Sequence, residues 1–396
     1  MSMDVASGSA PAPVAFYNDP KIRSIAYQAT LCAIVLFLVY GATTNAIEHL
    51  ARAHIASGFG FWNNTAGFDI SQTLIEYSSQ GSTYGRAFWV GLLNTLLVAG
   101  LGIVLATILG FIVGISRLSK NWLLAKTAAG YVETIRNIPL LLQLLFWYNA
   151  VLKALPELRD SIVLGGAYLN NRGLFLPKPQ FMRGSDEALV AAVVGIICAV
   201  VFYLWESRRQ ERTGKRGPVF TVAAILILGL PLAALAIEGF PIKFDFPQAG
   251  RFNIGGGIEV LPEFAALLFG LTIYTAAFIA EVVRAGILAV SRGQIEAAYS
   301  LGLRPRPTLR LIVVPQAMRV IIPPLTSQYL NLTKNSSLAV AIGYPDLVQV
   351  FTGTVLNQTG QAVEVVAITM LVYLSISLVT SLAMNIYNRR VALVER

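Results

Sequence analysis

Charge is scarce in this chain. Only 13% of its 396 residues are Asp, Glu, Lys or Arg, against 55% that are hydrophobic. Soluble domains carry about 25% charged residues, so this sequence cannot cover a water-facing surface of its size. Histidine is scarcer still. His49 and His54 are the only two and stand outside the apolar runs, which argues against a membrane haem or a histidine-rich metal centre. The two cysteines, Cys32 and Cys198, fall inside apolar runs, where buried free thiols are expected rather than a disulfide. A Gly-x-x-x-x-Gly-Lys-Ser/Thr phosphate loop is absent; Gly214-Lys215-Arg216 has the wrong following residue. With no His, Cys or carboxylate cluster at catalytic spacing either, no catalytic residue and no metal ligand is assigned.

What the chain has instead is apolar runs close to the ~20 residues that a bilayer demands. They fall at Ile25–Tyr40, Ala87–Ile115, Ile138–Leu155, Ala188–Trp205, Val219–Phe240, Phe264–Val290, Val320–Thr333 and Val363–Tyr387. The expected fold is all-α, a polytopic membrane protein of about eight spans, with seven as the alternative. The seventh run is interrupted by Pro323, Pro324 and the polar stretch Gln328–Ser337. The first runs on into Gly41–Ile47 without a clear cleavage site, which favours an uncleaved span over a signal peptide. Residues 1–24 and 391–396 are expected to be cytoplasmic tails, and 25–86 a first span with an external segment.

The net charge of +9 fits membrane topology better than nucleic acid. Arg208, Arg209, Arg212, Lys215 and Arg216 crowd one short loop; Arg117, Lys120 and Lys126 follow the second run, and Arg389, Arg390 and Arg396 the last. Positive-inside counting over eight spans puts all of these, with Lys21, Arg23 and both termini, on the cytoplasmic side. Ala42–Gly85 and Pro156–Glu187 then face outward. In the second run Gly110 and Gly114 form a small-xxx-small pair, with Gly100 and Gly102 earlier. Such pairs serve packing within a subunit or a dimer contact.

One cytoplasmic stretch, Ser291–Arg319, is long. Gly293 ends the preceding span, and Gln294–Leu301 is rich in helix formers, with Glu296 early, where the helix dipole favours an acid. Gly302 suits a turn through positive φ. Pro305 and Pro307 are expected to delay the next helix until about Thr308. The product is helix, tight turn and helix, a shape suited to docking. The pattern Glu296-Ala297-Ala298, Gly302, Ile312, Pro315 resembles the EAA loop of ABC-importer permeases: Glu-Ala-Ala, three residues, Gly, nine residues, Ile, one residue, Leu, Pro. It departs only at Val314. Arg136–Gln143 resembles the Arg-Gly-Thr-Pro-Leu-Leu-x-Gln signature of polar amino-acid permeases, with departures at Asn137 and Ile138. Phe278–Arg284 with Gly293-Gln294, and Lys334–Leu338, also resemble segments of that subfamily. The arrangement is similar to the Q-type permease of general L-amino-acid and glutamate/glutamine/aspartate/asparagine systems.

That resemblance implies a permease domain over residues 87–390 with a five-span core and inserted spans and loops at 156–262. It implies L-amino-acid import across a bacterial inner membrane by alternating access, with polar, acidic or amide substrates favoured. The implied partners are an ABC ATPase dimer carrying ATP and Mg, a sister permease, a periplasmic amino-acid-binding protein and the lipid; this chain would hold no cofactor. Lys334, with Asn331, Asn335, Ser336 and Ser337, ends a span in polar sequence and is a candidate for the translocation path. Snorkelling, or pairing of Lys334 with Asp346 or Glu364, is the alternative. Glu281 and Arg284, one turn apart, read as an intrahelical pair. An ion-coupled secondary amino-acid transporter is the rival reading, but it gives the Glu296–Pro315 pattern no purpose.

Overall fold

The computed structural model describes residues 20–52, 57–181, 185–214, 217–237, 242–250 and 253–391. The tail up to residue 19, His54, Lys215, Arg216 and residues 392–396 lie outside that set. Within it, seven helices are long and apolar enough to cross a membrane, or eight if one bent pair counts as a span. α1 (Pro20–Arg52) begins at Pro20, ahead of the apolar run, and the last helix runs to Val391.

The centre is α2 (Tyr84–Ser116) against a second long span, Pro262–Leu288. The small-xxx-small pair packs here, within the subunit. A Cβ on Gly110 would stand 2.6 Å from Ile279 Cβ, and one on Gly114 would stand 2.7 Å from the Ala280 carbonyl. Two backbones meet closely because both residues lack a side chain.

After α2, α3 (Trp122–Asn137) leads into α4 (Leu140–Leu145), which continues as a π-helical stretch, Phe146–Leu152. The two halves meet at 105°. Ile138, preceding Pro139, is extended (φ −96°, ψ 126°), as a residue before proline must tend to be. Gln143 holds the bend: its buried Nε2 donates to the Ile135 and Ile138 carbonyls, both at 2.9 Å. The single third span Ile138–Leu155 is therefore corrected to a broken pair whose second half is too short to cross alone.

A segment of short strands and a helical hairpin follows. Strands β1 (Ile162–Leu164), β2 (Ala167–Asn170) and β3 (Gly173–Leu176) form an antiparallel meander. β4 (Lys178–Phe181) leads to α5 (Ser185–Thr213), which turns back through α6 (Val219–Ala224), a π-helical turn at Ile225–Gly229 and α7 (Leu230–Ile237). β5 (Ile242–Asp245) then pairs with β4, β6 (Gln248–Ala249) with β7 (Ile254–Gly255), and β8 (Ile258–Val260) with β3. These short strands add to the helical bundle and have no counterpart among the expected elements. Gly195 of α5 sits directly against the Leu226 carbonyl, so the helical hairpin packs on itself. Cys32 on α1 and Cys198 on α5 are exposed, which corrects the expectation of buried thiols. Apolar sequence places a residue in lipid without burying it in protein.

The chain then enters α8 (Pro262–Leu288), α9 (Arg292–Ser300) and α10 (Pro305–Thr308). A π-helical turn, Leu309–Val313, passes into α11 (Val314–Asn335) and a 3₁₀ segment, Ser336–Ile342. The span expected at Val320–Thr333 is thus part of one helical run from Pro305 to Ile342. Pro305 starts the helix instead of delaying it, because the first turn has no N–H partners to lose. Pro323 and Pro324 sit inside α11 without ending it.

A π-helical stretch, Val348–Val355, continues as α12 (Leu356–Thr359) before α13 (Ala362–Val391). Asp346 is fully buried; it accepts from the Gln349 backbone N–H at 2.8 Å, capping that stretch, and from the Tyr373 hydroxyl at 3.1 Å. Asn94 Nδ2 donates to the Pro345 and Gln72 carbonyls, both at 2.9 Å, and Thr95 Oγ1 accepts from Leu347 N at 3.0 Å. The segment 57–83 covers this end of α2, setting Phe61 against Phe351 and Trp62 against Phe88 and Phe351 in tilted and edge-on ring contacts. Tyr77 fixes it by donating to the Phe68 carbonyl at 2.8 Å, and burial pushes that hydroxyl up to about 12, which keeps it a neutral donor.

Candidate docking loop and translocation path

The loop after α8 is set by one glycine. Gly302 has φ +75°; its N–H donates to the Tyr299 carbonyl at 2.9 Å, and that of Leu303 to the Ala298 carbonyl at 3.1 Å. This paired closure is a Schellman cap, which needs a left-handed residue where it turns. The turn folds α9 back onto Leu309–Val313. Ala298 is buried and Ile312 half-buried, whereas Glu296, Ala297, Gly302 and Pro315 are exposed. Around them stand large apolar side chains in the open: Leu301 is 81% exposed and Leu311 65%. Arg306 and Arg310 border a hollow beside Leu311. Exposed leucines amid arginines and one acid form a surface suited to a protein partner.

Behind the loop lies a charge cluster only half legible in the sequence. Glu281 on α8 bonds Arg284 at 2.5 Å, as its spacing predicts. It also bonds Arg117, just past α2, and lies 4.0 Å from Arg136 near the end of α3. Arg136 rests its guanidinium over the Phe278 ring, 5.0 Å from its centre. One carboxylate thus ties α2, α3 and α8 together on the span that leads into the candidate docking loop. The signal for Arg136 was the Arg136–Gln143 pattern; Arg117 looked like an ordinary flanking cation.

The proposed path residues share the α11 terminus. Asn331 and Lys334, three apart, are exposed, Asn335 and Ser337 are half-buried, and Ser336 is buried. Both serines turn back on their own helix: Ser336 Oγ donates to the Thr333 carbonyl and Ser337 Oγ to that of Lys334, each at 2.7 Å. Among the described residues Lys334 makes no ion pair. Asp346 and Glu364 are engaged elsewhere, the latter by the Gly58 N–H.

Residues 106–393 match a family described as binding-protein-dependent transport system inner membrane component. The chain is 54% identical over 379 residues to the general L-amino acid transport system permease protein AapQ of Rhizobium johnstonii, covering 96% of this chain and 94% of that one. It is 52% identical over 381 residues to the putative amino-acid ABC transporter permease protein YhdX of Escherichia coli, over 96% of this chain and 97% of the other. Against the glutamate/glutamine/aspartate/asparagine transport system permease protein BztB of Rhodobacter capsulatus, identity is 43% over 410 residues, with 96% of each chain covered. A bundle of apolar spans, an exposed loop of the EAA pattern and likeness over nearly its whole length lead to one conclusion: the chain belongs to the inner-membrane components of binding-protein-dependent transport systems, as a multi-pass permease subunit.

Proposed function

We propose that this permease carries L-amino acids, chiefly polar ones with acidic or amide side chains, across a bacterial inner membrane by alternating access. The names of its relatives support the substrate class. ATP and Mg belong to an ABC ATPase dimer in trans; this chain holds neither, catalyses nothing itself, and pairs with a sister permease served by a periplasmic amino-acid-binding protein. The termini and Glu296–Pro315 face the cytoplasm. The permease domain is residues 87–390, with 156–262 inserted. The observation that carries the reading is the Schellman turn at Gly302, which presents Glu296, Leu301 and Leu311 outward on a chain without a nucleotide loop.

In proteoliposomes with the partner ATPase, uptake is expected to require ATP. Gly302→Pro removes a hydrogen-bonded N–H and fixes φ near −65°, against the observed +75°. It is expected to abolish ATP-driven uptake and ATPase co-purification while leaving membrane insertion intact. Normal uptake by this variant would remove the docking role. Asn331, Lys334, Asn335, Ser336 and Ser337 form part of the path, with Lys334 facing a substrate carboxylate. Lys334→Ala is expected to cut uptake at least tenfold at unchanged membrane level, a loss of about 1.4 kcal/mol or more, and unchanged uptake would exclude that residue.

A further inference from the structure

The α5–α7 hairpin turns one side of each helix to its partner and the rest to lipid. On α5 that side is marked twice. Gly195 sits against the Leu226 carbonyl, and Glu206 is buried and accepts from the Gly217 N–H at 2.6 Å. The two are about three turns apart, so they share one face. About a third of a turn round the helix runs a stripe of Val194, Ile197, Val201 and Trp205, each 45–58% exposed, which continues into exposed Arg208 and Arg212. Steps of three and four residues keep all six in one line.

The stripe changes chemistry along its length. From Val194 to Trp205 it rises about 16 Å, roughly half of the ~30 Å hydrocarbon core. Trp205 closes this apolar part, as tryptophan does where hydrocarbon meets headgroups. Arg208 and Arg212 lie about 5 and 10 Å further out, at the depth of the lipid phosphates. Glu206 is spent on Arg209, 3.6 Å away, whose guanidinium also leans over the Trp205 ring, 5.5 Å from its centre. Among the described residues Arg208 and Arg212 make no ion pair. Orienting a span needs only a count of cations. Here two unpaired guanidiniums, an interfacial aromatic and an apolar track of one leaflet's depth are aligned as well.

We infer that this stripe binds one anionic phospholipid, its phosphate held by Arg208 and Arg212 and an acyl chain laid along Val201, Ile197 and Val194. Guanidinium forks match phosphate oxygens. A lipid of net negative charge is selected over a zwitterionic one, because choline brings a further cation up to the two arginines. Strand β4 pairs with β5 where the chain enters and leaves the hairpin; the lipid braces the opposite end.

The test is native mass spectrometry of the complete transporter, delipidated in non-ionic detergent and titrated with phosphatidylglycerol. Arg208→Gln with Arg212→Gln is expected to lower the retained phosphatidylglycerol by one per copy of this chain, its affinity falling about thirtyfold at about one cation's attraction for each arginine. Phosphatidylcholine is expected to bind both proteins equally. Lys120→Gln with Lys126→Gln, two exposed cations after α2, is expected to leave phosphatidylglycerol binding unchanged. Both arginines are exposed, so the unfolding temperature without lipid is expected to hold. If the arginine variant unfolds, the measurement becomes quenching of Trp205 by brominated lipid, taken as the difference between the unmodified chain and Trp205→Phe. Brominated phosphatidylglycerol is then expected to quench more than brominated phosphatidylcholine. Undiminished binding by the folded arginine variant, or equal quenching by the two lipids, removes the site. An equal loss in the lysine variant reduces the attraction to general charge. Loss of the ATPase in place of lipid assigns the arginines to a protein partner. Any of these results overturns the proposal.

Discussion

Two spans of this protein share a solvent and little else. The α6–α7 span is more apolar than α8, yet 61% of the most apolar stretch of α8 is buried in protein and none of that in α6–α7. In lipid, apolarity decides only that a helix enters, since lipid tails compete with any apolar partner; close approach and polar contacts decide what it packs on. α8 offers Gly110 and Gly114 of α2 a complementary face, sets Gly286 against Ile321 of α11, and ties the end of α2 and α3 to itself through Glu281. Among the described residues the hairpin's close backbone approach, Gly195 on Leu226, is internal. Burial here follows small residues, not hydropathy.

The contrast can be broken most severely at the α2–α8 contact. Gly114→Leu places a side chain where a Cβ alone would stand 2.7 Å from a carbonyl oxygen and 2.8 Å from Val283 Cβ. Overpacking of this kind costs about 1–3 kcal/mol or more. Folded protein in the membrane is expected to fall sharply, with a lower unfolding temperature in detergent for what remains; a wild-type melting curve would mean that the interface is softer than its geometry. Glu281→Gln comes next. It leaves Arg117, Arg136 and Arg284 facing one another without their acid, and because these groups are part exposed the expected loss is about 1–2 kcal/mol. Transport is expected to drop more than stability, since the cluster joins α2 and α3 to the helix that leads into the candidate docking loop. A proportionate fall in both would make the cluster a plain structural clasp. The smallest effect belongs to the hairpin: Cys198→Leu, on an exposed face, is expected to move neither unfolding temperature nor uptake. A marked change would show that this face has a partner.

How much the sequence disclosed follows the same physics. Spans and the tight turn after α9 were legible because bilayer thickness fixes run length and because Gly302 must take positive φ wherever that turn is built. Ile138–Leu155 was read as one span because hydropathy is blind to a bend set by Pro139 and held by a buried Gln143. Pro305 was over-read as delaying the next helix, since a proline in a first turn costs little continuity. Asp346 could not be placed at all: its partner Tyr373 lies 27 residues away, and no local pattern joins a cap to a distant hydroxyl. The charge cluster needed the fold too, because Arg117 and Glu281 are 164 residues apart.

The strand pairings on either side of the α5–α7 hairpin reach further than their size suggests. Leu174 is opposite Val260 and Lys178 opposite Asp245, so the chain leaves for the helical hairpin and returns from it at nearly one point in space. A segment with adjoining ends is a detachable module: it can lengthen, shorten or be exchanged while the chain on either side sees the same short gap. A permease core can therefore acquire or shed a pair of membrane helices there without relearning how to fold.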